Sequence, residues 1–230
     1  MLEIIASTVE DARLIAEGGA DRIELVSALS EGGLTPSYGL MLQAVRAVAI
    51  PVNVMIRPHS RSFVYSDEDL GCMLEDIKQA KAVGANGVVL GVLDAAGSIA
   101  LPSLKEMLRY CSGLEVTFHR AIDEAADILG AAELLASLPI DRVLSSGGRG
   151  QAEANLDVLR QMHSILAAKG KLLLVGSGVN PDNCQAILQA TKAQELHVGT
   201  SVRYDSSAFA GVNLAAVKEM VQAYQIGKGD

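Results

Sequence analysis

The sequence predicts a single parallel (β/α)₈ barrel. Short apolar runs alternate with longer segments of helical period, eight such units can be counted, and the core chemistry is aliphatic. The runs fall at 2–5, 22–25, 52–56, 87–90, 115–118, 142–144, 172–175 and 196–198. Each is bounded by turn residues and is short enough for a buried strand. With 3% aromatic residues and no Trp, Ala, Val, Ile and Leu must fill the interior, which suits the layered core of a barrel.

Taken in order, the opening strand leads to Ser7 or Thr8, either of which can cap a helix over 9–17. The second strand enters through GADRIEL (19–25), and the fourth repeats that entry as GANGVVL (84–90). Gly-Ala before a strand is a helix stop, because glycine accepts the left-handed backbone cheaply. The third strand lies in PVNVMIRP (51–58) and the fifth in LEVTFHRA (114–121), both ending on a cationic or cationisable side chain. Between them Ser66 caps a helix reaching about Val83. After the seventh strand, Asn180 and Pro181 predict an N-cap and first helical residue. The 230 residues are read as one domain over 1–230, with no low-complexity linker. The alternative, an open doubly wound sheet, calls for a glycine fingerprint after the first strand, where Ile4-Ile5-Ala6-Ser7-Thr8 stands.

A formal charge of −8 and a pI near 5.0 argue against nucleic acid as a partner, since phosphate backbones need clustered Lys and Arg. The apolar runs stop short of the ~18 residues of a bilayer span and no basic-then-apolar leader opens the chain, so no membrane partner and a cytoplasmic location are expected. Cys72, Cys111 and Cys184 are odd in number and widely spaced, which predicts free thiols packed as small hydrophobes rather than a disulfide or zinc framework.

A charged residue on a barrel strand must face the pocket at the carboxyl end or be buried at a cost of several kcal/mol. Glu24, Arg57, His119, Asp123 and His197 are therefore the candidate catalytic set. Glu24 and His197 occupy matching places in their units, as do Arg57 and His119, so their side chains are expected to converge. The competing readings are an internal Glu24–Arg57 ion pair and a hydrogen-bonded core histidine at 197. Glycine-containing loops supply a candidate anion site at Ser146, Gly147, Gly176, Ser177, Gly178 and Thr200, with Ser201 and the charge of Arg203 nearby. The competing reading is that tight βα turns need glycine anyway. Loop 59–66 is long enough to act as a lid, with His59 solvated. His163 is read as a surface residue, and Met41, Met55 and Met73 as core filler rather than a copper(I) box.

The segments GGADRIEL (18–25), SEGGLTPS (30–37), VMIRP (54–58), FVYSD (63–67), VTFHRA (116–121) with Asp123, and RVLSSG (142–147) resemble the CutC family over nearly the whole chain. The resemblance implies a TIM-type barrel and a role in copper homeostasis, with copper as the ion handled. It also implies cysteines near the first two strands, where this chain holds Ile5 and Val26. Aliphatic side chains cannot replace thiolates toward copper(I), so the cysteines do not support copper as a bound group here. The family's polar set is present, with His119 and His197 as the metal candidates beside Glu24 and Asp123. Where relatives tend to have three glycines after the seventh strand, this chain reads Gly176-Ser177-Gly178.

Two activities follow. One is a copper-homeostasis protein that handles the metal through those nitrogen and oxygen ligands. The other is an enzyme of proton-transfer, lyase or isomerase type acting on a small anionic or phosphorylated metabolite, with Arg57 and the last two loops holding the anion while His119 or Glu24 moves a proton. A third reading is a binding or scaffold protein without chemistry, forming a homodimer.

Overall fold

The computed structural model describes residues 1–228. Eight parallel strands close on themselves in chain order, so the open-sheet alternative is set aside. They are β1 (Leu2–Ala6), β2 (Arg22–Leu25), β3 (Val52–Met55), β4 (Gly87–Leu90), β5 (Glu115–Phe118), β6 (Arg142–Ser145), β7 (Leu172–Val175) and β8 (Glu195–Val198). The major helices are α1 (Val9–Glu17), α2 (Tyr38–Ala47), α3 (Asp67–Ala82), α4 (Leu101–Tyr110), α5 (Ile128–Ala136), α6 (Leu156–Ala167), α7 (Cys184–Thr191) and α8 (Leu214–Lys228).

Local chemistry sets the helix ends. Thr8 Oγ1 accepts from the Asp11 amide at 2.9 Å, which satisfies one of the free donors of the first turn of α1. Ser66 and Asp69 form a reciprocal capping box at the start of α3. The expectation for α7 needs correction, because the helix begins at Cys184 and not at Pro181. Asn180 folds the chain into a turn instead, its Oδ1 accepting from the amides of Asp182 (2.9 Å) and Asn183 (3.2 Å).

Strand parity divides the interior. Leu2, Ile4, Ile23, Leu25, Val54, Val88 and Leu90 join the large apolar layer between strands and helices. The alternate positions turn inward, where Ile5, Val26, Met55 and Val89 form a small separate cluster. The remaining inward positions are mostly polar, and they build the site. Two of the three cysteines are packed as expected, at Cys111 and Cys184, whereas Cys72 is exposed on α3.

Candidate functional site

The lower interior, at the amino ends of the strands, holds a linear chain of ion pairs running from Glu3 to Glu115. Arg22 Nε lies 2.5 Å from Glu3 and its Nη2 2.9 Å from Glu195. Arg142 meets the same Glu195 oxygen at 3.1 Å and Glu115 at 2.8 Å, and its third nitrogen donates to Thr117 Oγ1. Alternating charges in contact compensate one another along this layer, whose Glu115 end is half-exposed. Burial opposes the charge of Glu3, but Arg22 and His197 outweigh it and hold its carboxyl at about 2.

Glu3 connects this layer to the one above it. Its free oxygen sits 2.8 Å from His197 Nδ1, and on the far side of that ring His197 Nε2 faces Glu24 Oε2 at 3.6 Å. That second gap is too long for a hydrogen bond and is an electrostatic contact. Burial works against a charged His197, yet Glu24 and Glu3 outweigh it and raise its pKa. Burial also pushes the Glu24 carboxyl up to about 7, and its Oε1 has no partner. Of the two readings for His197, the core hydrogen bond is present, and the ring faces the cavity as well.

Above Glu24 and His197 opens a cavity of about 720 Å³ at the carboxyl ends of the strands. Glu24, Arg57, His119, Asp123 and His197 all line it. The Glu24–Arg57 ion pair offered by the sequence does not form. Arg57 Nη1 donates instead to the carbonyls of Glu31 (3.1 Å) and Gly33 (3.3 Å), and its guanidinium stacks 4.7 Å from the Phe63 ring centre. Its Nε is buried without a partner. His119 accepts the Ala121 amide on Nδ1 at 3.1 Å, which places the ring proton on Nε2 when the imidazole is neutral. That Nε2 is buried and unpartnered. Burial, reinforced by Arg57, pushes the His119 pKa down to about 3, so the ring is neutral at physiological pH. Gly91 makes room for it, since a Cβ there would stand 2.5 Å from Nδ1.

Asp123 is of a different kind. Its carboxylate accepts from Arg120 Nε (2.8 Å), the Ser145 hydroxyl (2.5 Å) and both the amide and hydroxyl of Ser146 (3.1 and 2.7 Å). Every strong acceptor position is occupied, so its geometry is that of a brace between β5 and β6.

The six anion candidates divide. Ser177, Gly178 and Thr200 line the cavity. Ser146 and Gly147 are buried behind its wall, Ser146 being committed to Asp123 and Arg120. Gly176 is likewise buried, tight against Leu144 and His197. Arg203 does not offer its charge to the cavity; it is buried against Asp11 at 3.1 Å and donates to the carbonyls of Ile5 and Ala210. The cavity takes its further cations from Arg120 and Arg149, and Phe63 from the 59–66 loop closes on both Arg57 and His119.

Three groups were not singled out by the sequence reading: Glu3, Phe63 and Arg149. Glu3 had a usable signal, because it shares inward parity with Ile5 on β1 and pairs in register with both Arg22 and His197. Phe63 and Arg149 had none, since loop side chains carry no period.

The donors do not fit a copper(I) centre. No cysteine is among the cavity-lining residues, and burial pushes the Cys111 thiol up to about 12 and raises Cys184 too, which keeps both protonated. Ile5 and Val26 pack together in the apolar interior cluster. Glu3, Glu24 and His197 do bring ligand atoms within 4.8 Å of one another. Glu3, however, already spends one oxygen on Arg22 and the other on His197 Nδ1. Only Glu24 and His197 Nε2 remain, fewer protein ligands than a resident zinc or copper site uses. His119 lies beside the Arg57 charge and outside this group.

A closed parallel barrel with ionisable groups gathered at its carboxyl-end mouth defines the class: a TIM-type barrel with a polar cavity at that mouth. The sequence model of the CutC family matches residues 1–202, and the chain belongs to that family. It is 41% identical over 207 residues to the human protein named copper homeostasis protein cutC homolog, covering 90% of this chain and 75% of that one. A CutC structure from Streptococcus agalactiae superposes with a TM-score of 0.81 at 31% identity, covering 87% of this chain and 98% of that one. Thiamine phosphate pyrophosphorylase from Pyrococcus furiosus, 18% identical with a TM-score of 0.66 over 99% and 96% of the chains, shares the barrel fold alone. Among the described residues no helix is long and apolar enough to cross a membrane.

Proposed function

We propose that the mouth cavity binds a small anionic metabolite and moves a proton on it. The observation that carries this reading is that Glu24 Oε1, Arg57 Nε and His119 Nε2 are buried, lack partners and belong to side chains lining one cavity. A buried polar atom without a partner costs about 1–3 kcal/mol, and a ligand that supplies the missing bonds recovers that cost. The complement of these atoms is an acceptor facing Arg57 and His119 beside a proton that Glu24 can take. At the rim Arg149, Ser177, Gly178 and Thr200 suit a phosphate or carboxylate.

The copper-homeostasis role belongs to the family by name, and it reaches this chain as a second reading. The donor set supports at most a cavity-borne metal touching Glu24 and His197, without thiolate help. Two titrations test the pair of readings. In a thermal-shift screen, phosphorylated or carboxylated metabolites should raise the melting midpoint of the wild type and not of Arg57→Gln; no stabilising ligand at millimolar concentration removes the metabolite reading. Under reducing conditions copper should show no stoichiometric binding, and a 1:1 isotherm lost in His197→Gln would restore the metal reading.

A further inference from the structure

We infer that the reaction is reversible enolisation: Glu24 removes a proton from a carbon next to a carbonyl, whose oxygen is held by His119 Nε2–H and the Arg57 guanidinium. The inference rests on the cavity reading above and specifies its chemistry. In the forward step the C–H bond breaks, its electron pair becomes a C=C bond, and the carbonyl π pair moves onto oxygen as an enolate. Glu24 Oε1 gains the proton. The reverse step returns a proton to the same carbon, so atoms and charge balance without any co-reactant.

Five observations on the site point this way. The free Glu24 oxygen is an acceptor while the two free nitrogens of Arg57 and His119 are donors, which matches a C–H beside a C=O. Among the described residues no Lys lines the cavity, so a carbanion cannot be stabilised through a lysine Schiff base and depends on hydrogen-bond donors to oxygen. His119 is locked as the Nε2–H tautomer by the Ala121 amide, which makes it a donor to an oxyanion rather than an acid that is consumed. Glu24 is buried, with the apolar Ile5 beside it in register and Met55 lining the same cavity, and a carboxylate stripped of water is a stronger base than one in solvent. His197, fixed by Glu3, faces the other Glu24 oxygen and leaves Oε1 free for substrate. The rim then selects the class: a short hydroxycarbonyl or 2-oxo compound ending in phosphate or carboxylate.

The test is proton exchange in D₂O followed by ¹H NMR. The probes are dihydroxyacetone phosphate, ribulose 5-phosphate, ribose 5-phosphate and 2-oxoglutarate, each scored in parallel for thermal shift with the full chain. At least one probe that stabilises the protein should lose its α-proton signal at least about 100-fold faster than in buffer, the scale of general-base catalysis. Glu24→Gln should abolish exchange and retain the thermal shift. If that variant does not fold, His119→Gln serves in its place and should slow exchange while leaving the midpoint of the free protein near wild type. Probes that stabilise the wild type but exchange no faster than in buffer overturn enolisation and leave anion binding standing. If no probe stabilises it, both readings fall together.

Discussion

The two polar layers inside the barrel are made from the same residue types and end in opposite states. In the lower layer Glu3, Arg22, Glu195, Arg142 and Glu115 alternate in sign, and each charge has a partner within 3.1 Å. In the upper layer Glu24, Arg57 and His119 stand around open space, each with one buried polar atom unmatched. Folding alone accounts for the first arrangement, since a buried charge is tolerable when paired. It does not account for the second, which holds a desolvation cost that water or a ligand entering the cavity relieves. On the proposed reading, what separates a ligand site from a structural lattice is how completely its charges are satisfied, and not their presence.

The sharpest way to break that contrast is to remove one partner from the lower layer. Arg22→Met strips Glu3 and Glu195 of the cation they share, leaving His197 and Arg142 as their remaining partners, and should cost about 3 kcal/mol of folding stability. The same change at Arg57 should cost far less, because no carboxylate pairs with it among the described residues. Urea unfolding of both variants reads the difference directly. Equal losses would mean that the upper layer is also a structural lattice.

Glu24→Gln inverts the expectation. It should reduce turnover by a factor of about 100 or more while leaving stability unchanged or increased, because a desolvated carboxyl gives way to a neutral amide of the same shape. Thermal melting at pH 8 checks the second half, and a drop of several degrees would show that Glu24 is a structural partner of His197.

The pH dependence follows from the same group. The folded pKa of Glu24 is raised from 4.5 to about 7, so between those values the native state binds the proton more tightly than the unfolded chain. The contribution is fully present below pH 4.5 and is lost as pH rises through 7. The raised pKa of His197 has the same sign and acts at higher pH, while Glu3, lowered to about 2, contributes above 4.5 and loses that contribution as pH falls toward 2. Glu24→Gln should thus flatten a decline in stability of up to about 1 kcal/mol per pH unit between pH 5 and 7. An unchanged slope would place the titration elsewhere.

Much of the upper layer could be read without coordinates because period-2 strands carry parity. Glu24 and His197, each third in its strand, do line one cavity, and all eight strands fall where the apolar runs put them. The lower layer is not legible from the rule that barrel strands are apolar inside. Yet Arg22, Glu115, Arg142 and Glu195 are each the first residue of their strand, a recurrence visible in the sequence. What parity cannot reach is where a long side chain goes once loops offer alternatives. Arg57 turns to the carbonyls of Glu31 and Gly33 because the segment after β2 folds back under it, bridged from Ser27 to Leu34. Arg203 leaves the cavity for Asp11 because α1 presents a buried carboxylate there. Ser146 turns from the mouth because Asp123 captures both its amide and its hydroxyl. Those outcomes depend on contacts between residues far apart in sequence.

The smallest expected effect tests the rim against the floor. Arg149 is exposed beside Gly148 and Gly150, and no side-chain ion pair holds it among the described residues. Arg149→Ala should leave stability within about 0.5 kcal/mol, since exposed charges contribute little. It should nevertheless weaken a phosphorylated ligand several-fold, by less than about 1.4 kcal/mol, and the loss should fade as salt is added. Arg57→Gln should weaken the same ligand in a way that salt hardly alters, because that guanidinium is shielded from solvent by Phe63 and the surrounding wall. Isothermal titration with inorganic phosphate at two salt concentrations separates the two. If both losses respond equally to salt, the floor and the rim form one solvated basin, and burial of the unmatched atoms ceases to be what distinguishes the upper layer.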